Sequence, residues 1–210
     1  SKIQTYENCP LQFKFQYVLR IPTPFKTYFG MGTAIHAVAE NLTKMQKDGK
    51  ESTEQLAFEI LEKQWDTSSY RNQRTKENQD KVKSKDMVKT YMDWAENNPN
   101  TPVDVESKFQ IKINDVTISG MIDRVEKTPE GEYEVIDFKT GYAYKNKNTI
   151  KEDVQMNIYA LGTEKLYGKL PKKTSLFYIK DNKLVPHFIE KEILDAFTKS
   201  LGDKIDDIFD

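Results

Sequence analysis

The chain holds one cysteine, Cys9, in 210 residues. A lone cysteine forms no internal disulfide, which excludes the stapled secreted scaffolds and fits a reducing, cytoplasmic compartment. Long apolar runs are missing as well. None approaches the roughly 18 residues of a membrane-spanning helix, and the N-terminus carries no signal-peptide pattern. The chain begins with Ser rather than Met, as would a piece cut from a longer protein or one bearing a tag remnant. Nor does charge of one sign dominate: 32 Lys and Arg stand against 33 Asp and Glu, for a net charge of −1. That excludes a histone-like polycation. It leaves room for an enzyme that holds phosphates with a local basic rim and metal ions while staying neutral overall. Lys145, Lys147 and Lys151 are candidates for such a rim, against the plainer reading of a solvated lysine face. No internal repeat or low-complexity tract is present.

What is present suffices for a packed core. Hydrophobic residues make up 37% of the chain, with eleven Phe, eleven Tyr and two Trp. The length suits one domain, globular rather than disordered. Charged residues reach 31% and mean hydropathy is −0.74, so the surface faces water.

Periodicity divides the chain in two. Residues 1–19 read as helical, with Pro10 in a first turn where proline is tolerated, and IPTP (21–24) ends the element. From Gly30 to about Lys47, Met31, Ala34, Ile35, Val38, Leu42 and Met45 recur at helical spacing. Ser52-Thr53-Glu54 offers a cap for the next helix, marked by Leu56, Ile60 and Leu61. A lysine-rich helix over 76–97 carries a sparse face of Val82, Met87, Val88, Tyr91 and Trp94. After NNPNTP the period becomes two. Residues 103–113, 116–127 and 132–139 read as an antiparallel meander. Residues 150–167 return to helical spacing, 174–190 form a second hairpin around Asp181–Asn182, and 190–209 close as a helix. The order implies a mixed α/β domain with an N-terminal helical layer. Residues 1–99 are mainly helical and 100–210 are a strand-rich core with flanking helices.

Four segments carry candidate chemistry. In EYEVIDFK, alternation puts Tyr133, Val135, Asp137 and Lys139 on one strand face and Ile136 and Phe138 on the other. An Asp and a Lys there are either a strand-end salt bridge or a site, since burying them without a purpose is costly. Asp123, in GMIDRVEK, falls opposite Ile136 if the hairpin loop is symmetric. It falls opposite Asp137 if Gly131 makes a bulge. Two adjacent carboxylates repel unless a cation lies between them; the alternative is a solvated Asp123 paired with Arg124. His36 lies beside the apolar stripe of its helix, with Glu40 one turn on to orient its ring, or is simply structural. In QMNIYA, Gln155 and Tyr159 share a helix face, either as polar groups aimed at a site or as a surface Gln beside a half-buried Tyr.

GTAIH, GMIDRVE, VIDFKTG and QMNIYA, in this order, resemble the PD-(D/E)XK nuclease superfamily. More narrowly they resemble its RecB-type branch, which includes nuclease domains of bacterial recombination helicase-nucleases and CRISPR-adaptation nucleases. YENCPLQFKFQYV is similar to the segment that opens those domains, and the resemblance spans about residues 3 to 165. It implies a restriction-endonuclease-like fold, a mixed β-sheet core flanked by helices. It also implies a metal-dependent DNA nuclease acting in repair or recombination, or as the nuclease domain of a helicase-nuclease. DNA ends, single-stranded or duplex, are the implied substrate, and a helicase or other recombination protein an implied partner. His36, Asp123 and Asp137 would bind Mg²⁺ with help from the Phe138 carbonyl, and the imidazole suits Mn²⁺ as well. Lys139 would position or activate the attacking water and stabilise charge on the phosphate. Gln155 and Tyr159 would contact the site and substrate. Glu106, on the preceding strand, is a weaker candidate and stands outside this ligand set. Several RecB-type nucleases hold an iron–sulfur cluster through one early and three late cysteines. Cys9 matches the early one and no later one exists in this chain, so no cluster is expected here and Cys9 reads as a small buried residue. The competing readings are a non-catalytic DNA- or helicase-binding module of the same fold, and a hydrolase of another class using the two aspartates.

Overall fold

A computed structural model describes residues 2–22, 27–71 and 73–209. The N-terminal segment is built of α1 (Lys2–Asn8) and α2 (Pro10–Phe13), followed by a π-helical turn over Lys14–Val18. Pro10 opens α2 as its sequence position predicts. Cys9 departs from expectation: it is half-buried and caps α2, its Sγ accepting from the Gln12 backbone N–H at 3.4 Å. Ile21 and Pro22 follow the turn, whereas Thr23 and Pro24 lie outside the described residues.

Three longer helices come next: α3 (Thr27–Lys47), α4 (Glu54–Lys63) and α5 (Arg74–Asn97). α3 begins three residues before the predicted start. Thr53 caps α4 by accepting from Leu56 N–H at 3.2 Å. In α5, Met87, Val88 and Tyr91 are buried, but Val82 is 63% exposed and does not belong to the core face. Ser84 and Asp80 take the inward positions of that turn instead.

The sheet has five strands in sequential order: β1 (Thr101–Ile113), β2 (Val116–Lys127), β3 (Tyr133–Lys139), β4 (Lys173–Tyr178) and β5 (Lys183–Phe188). β1–β2–β3 form the expected antiparallel meander. β3 and β4 pair parallel, which requires a crossover; α6 (Val154–Tyr167) supplies it. β4 and β5 form the second hairpin, turning through Ile179–Asp181 with Asn182 in a left-handed conformation. Pro186 sits in β5, an edge strand, where a missing N–H leaves no ladder bond open. α7 (Lys191–Phe209) closes the chain.

The sheet separates two cores. On one face Val125, Val135, Leu176 and Tyr178 pack against α6 and α7. On the other, Ile136, Phe138 and Phe177 pack against α3, α4 and α5. Phe109 of β1 shows how tightly α6 approaches. A Cβ added at Gly120 or Gly162 would meet its ring at 2.4 and 2.7 Å, so both positions must lack a side chain. Arg124 fastens the second face. It is fully buried, pairs with Glu126 at 2.5 Å, donates to Thr43, Gln46 and Tyr91, and stacks over Trp94. It therefore turns away from Asp123, and the reading in which those two neighbours pair does not hold.

Candidate active site

The hairpin between β2 and β3 decides the first question of geometry. Its register runs from Lys127↔Tyr133 to Arg124↔Ile136. Continued by one residue, it sets Asp123 opposite Asp137. Gly131, at φ +84°, supplies the left-handed position that the longer loop needs. Both carboxylates then share the face of Val125 and Val135.

Asp123 is buried and fixed: its Oδ2 accepts from Phe138 N–H at 2.8 Å and lies 3.4 Å from His36 Nδ1. Burial, and next the Asp137 charge, hold its carboxyl well above the usual carboxylate range, against the pull of Phe138 N–H and Lys139. Burial lowers the pKa of His36, assisted by Lys139 and opposed by Asp137 and a hydrogen bond with the Phe138 backbone. The ring is accordingly neutral near pH 7, the state in which an imidazole can ligate. Glu40 does not orient it: that carboxylate pairs with Lys44 at 2.5 Å.

Glu106 enters the site from β1. His36, Glu106 and Asp123 each offer a ligand atom within 4.8 Å of the others. Its backbone is left-handed, φ 52°, in the middle of a strand. The β1–β2 ladder passes over it, from Val105↔Arg124 to Ser107↔Ile122. A non-glycine residue in that region costs about 1–3 kcal/mol, and such strain collects at functional sites. Burial, then the nearby Glu40, raise the Glu106 pKa. Two carboxylates uphill of their ordinary state beside a neutral imidazole form a donor set that a divalent cation would relieve. The three line a cleft of about 640 Å³ with Gly32, Thr33, Ala37, Glu40, Gln64, Met121 and Thr140.

Asp137 belongs to a second, adjoining network. Its Oδ2 lies 2.6 Å from Lys139 Nζ, and its Oδ1 accepts from Gln155 Nε2 at 2.9 Å and Tyr159 OH at 3.3 Å. Gln155 is the hub: its Oε1 accepts from Lys139 Nζ at 3.0 Å, and its Nε2 also donates to Tyr159 OH at 2.7 Å. α6 presents Gln155 and Tyr159 one turn apart. Its start is set by Asp153, which accepts from Gln155 and Met156 N–H and pairs with Lys145 at 2.6 Å. Lys145 is thus committed to the helix cap rather than to a phosphate rim, while Lys147 and Lys151 are exposed. Burial pulls the Lys139 pKa down, but Asp137, with Asp123 and Asp153 behind it, more than offsets this and leaves it raised. Lys139 therefore remains an ammonium. Burial and Asp137 push the Tyr159 hydroxyl far up, so it stays a donor.

The sequence-predicted residues come together, divided between two groups. His36 and Asp123 sit with Glu106, and Asp137, Lys139, Gln155 and Tyr159 sit together beside them. Glu106, the weaker candidate left outside the ligand set, is the residue the structure brings beside His36 and Asp123.

A mixed five-stranded sheet flanked by helices, with acidic, imidazole and lysine groups gathered at the ends of β2 and β3, defines an α/β fold of the restriction-endonuclease-like kind. The chain matches the family model of the PD-(D/E)XK nuclease superfamily over residues 1–210 and belongs to that superfamily. It is similar to the Gene 69 protein of Mycobacterium phage D29, 26% identical over 204 residues, covering 85% of this chain and 73% of that protein. The crystal structure of SSO0001 overlaps it loosely, with a TM-score of 0.37 and 13% identity over 96% of this chain and 85% of that one. Among the described residues, no helix is long and apolar enough to cross a membrane.

Proposed function

We propose that the protein is a divalent-metal-dependent deoxyribonuclease, a single nuclease domain acting in DNA repair, recombination or a phage-related machine, alone or joined to a helicase. The observation that carries this reading is the adjacency of a three-residue donor set, His36, Glu106 and Asp123, to the Asp137–Lys139 pair. One imidazole and two carboxylates fit Mg²⁺ and, through the nitrogen donor, Mn²⁺. Bound there, the cation would neutralise the phosphate and lower the pKa of a coordinated water. Asp137 and the Phe138 carbonyl complete the ligand set in this proposal, with Asp123 held in place by Phe138 N–H.

The remaining work falls to the chain's own groups. Lys139, held protonated by its carboxylate neighbours, faces water and phosphate; it positions the nucleophile and stabilises developing charge rather than removing a proton. Gln155 fixes both partners, its carbonyl on Lys139 and its amide on Asp137. Tyr159 holds Asp137 from behind. If the reaction follows the family pattern, water attacks in line, the P–O3′ bond breaks and the 3′ oxygen leaves as a hydroxyl, with the phosphate kept on the 5′ side. The test is incubation with linear single-stranded and duplex DNA in Mg²⁺, Mn²⁺ or EDTA. Metal-dependent degradation that Asp137→Ala abolishes is expected. DNA that is bound but never cut would replace this reading with that of a non-catalytic DNA-binding module.

A further inference from the structure

We propose that the loop after β3 presents Tyr142 and Tyr144 as a stacking platform for the bases of a single-stranded DNA end, which makes single strands the preferred substrate of the site. The inference rests on the nuclease reading above and adds the strand preference to it.

Tyr142 and Tyr144 are 69% and 70% exposed, the most exposed large hydrophobic side chains among the described residues. Exposed tyrosines on a slack loop would carry little meaning, but this loop is pinned between the pair and just beyond it. Ala143 N–H, between the two rings, donates to Asp181 Oδ2 at 2.6 Å. Lys145 is tied to Asp153. Ile150 is fully buried in the sheet core, and Asn146 Oδ1 accepts from the N–H groups of Asn148 and Thr149. The rings are therefore held out in water by a built structure, against the apolar preference of their own faces.

The surroundings match one ligand chemistry. Lys180 Nζ lies over one face of the Tyr142 ring, 3.4 Å from its centre, which leaves the opposite face for a base. Tyr144 meets the buried Tyr178 ring edge-on at 6.0 Å, and Tyr178 pairs with Lys139 in the β3–β4 ladder. Flat aromatic faces beside ammonium groups are what single-stranded nucleic acid uses: bases stack on the rings and phosphates are neutralised by the cations. Tyr142 lies three residues beyond Lys139, at most about 10 Å along the chain. A base there belongs to a nucleotide close to the phosphate at Lys139. Inside a duplex the bases are stacked on one another and offer the rings no face.

The test uses Lys139→Ala protein in Mg²⁺, so that bound DNA survives, and reads fluorescence anisotropy with a labelled oligothymidylate and a blunt hairpin duplex. Adding Tyr142→Ala and Tyr144→Ala should weaken oligothymidylate binding by roughly 5- to 150-fold for each ring that stacks and leave hairpin binding unchanged. Tyr142→Phe with Tyr144→Phe should retain the affinity. An oligonucleotide carrying abasic sites should bind the Lys139→Ala protein as weakly as intact oligothymidylate binds the tyrosine variant. Equal binding of oligothymidylate with and without the rings, parallel loss of hairpin binding, or no binding of either DNA each overturns the platform. Cleavage by the enzyme with Lys139 intact is scored separately. Cutting without ring dependence sinks the platform and spares the nuclease; ring-dependent binding without cutting does the reverse.

Discussion

Replacing Asp123 by Asn should make the metal-free protein more stable and at the same time deaf to metal. Asp123 is buried beside Asp137, and its carboxyl is held well above the ordinary range, first by burial and then by that neighbour. An acid whose folded pKa is raised binds its proton more tightly in the folded state. The stability this confers is complete below the ordinary value of 3.8 and is lost as pH rises through the raised folded value. As pH rises through that folded value, metal-free wild type comes to carry an ionised Asp123 buried beside Asp137. Asn keeps an oxygen for Phe138 N–H and removes the charge. The gap between Asp123→Asn and wild type should open as pH climbs above 3.8 and level off above the folded pKa. Divalent metal restores wild type: at about 100 times its dissociation constant it should add about 2.7 kcal/mol. At about 2–4 °C per kcal/mol for a chain of this size, that is a Tm rise of roughly 5–11 °C. Asp123→Asn should show less than a quarter of that rise. Thermal melts over a Mg²⁺ or Mn²⁺ series, repeated from pH 4 to 8, measure both effects. An Asp123→Asn protein that is less stable than wild type without metal at pH 7, or that responds equally to metal, would refute the reasoning.

Arg124→Met should destabilise by about 3–5 kcal/mol in urea melts, because it strands buried Glu126, and Arg124→Met with Glu126→Gln should recover part of that loss. Gly162→Ala drives a Cβ into the Phe109 ring and should cost about 1–3 kcal/mol; because α6 also carries Gln155 and Tyr159, cleavage should fall with it, and a stable, fully active variant would contradict the packing. Gln155→Ala frees both Lys139 and Asp137 and should lower cleavage or apparent metal affinity about 10- to 100-fold with an unchanged Tm.

Much of this was legible in the sequence because side-chain period reports local backbone directly. The change from helical spacing to alternation at residue 103 marks the boundary between helical layer and sheet, and the TPEG turn marks the β2–β3 hairpin. The register itself was not legible: it depends on whether Gly131 takes a left-handed conformation, which a sequence permits but does not require. Glu106 stayed a weaker candidate for a related reason. Alternation assigns it a face only if the strand is regular, and its left-handed φ breaks that regularity where Asp123 and His36 converge. Val82 misled because an apolar residue at helical spacing says nothing of which side of α5 meets the sheet. Lys145 misled because its partner Asp153 lies on a segment whose placement the fold decides; Glu40 misled because Lys44, one turn further along the same helix, competes with His36 for it at the same spacing.

The central claim is that this cleft cleaves phosphodiester bonds through bound metal and the Lys139 ammonium. Single-turnover cleavage of a labelled DNA by wild type and Lys139→Ala, each over a full Mg²⁺ and Mn²⁺ titration, tests it most directly. The rate should be about 10²- to 10³-fold lower for Lys139→Ala at saturating metal, and the wild-type rate should fall to background in EDTA. Equal rates for the two proteins, or cleavage that survives EDTA, would contradict it.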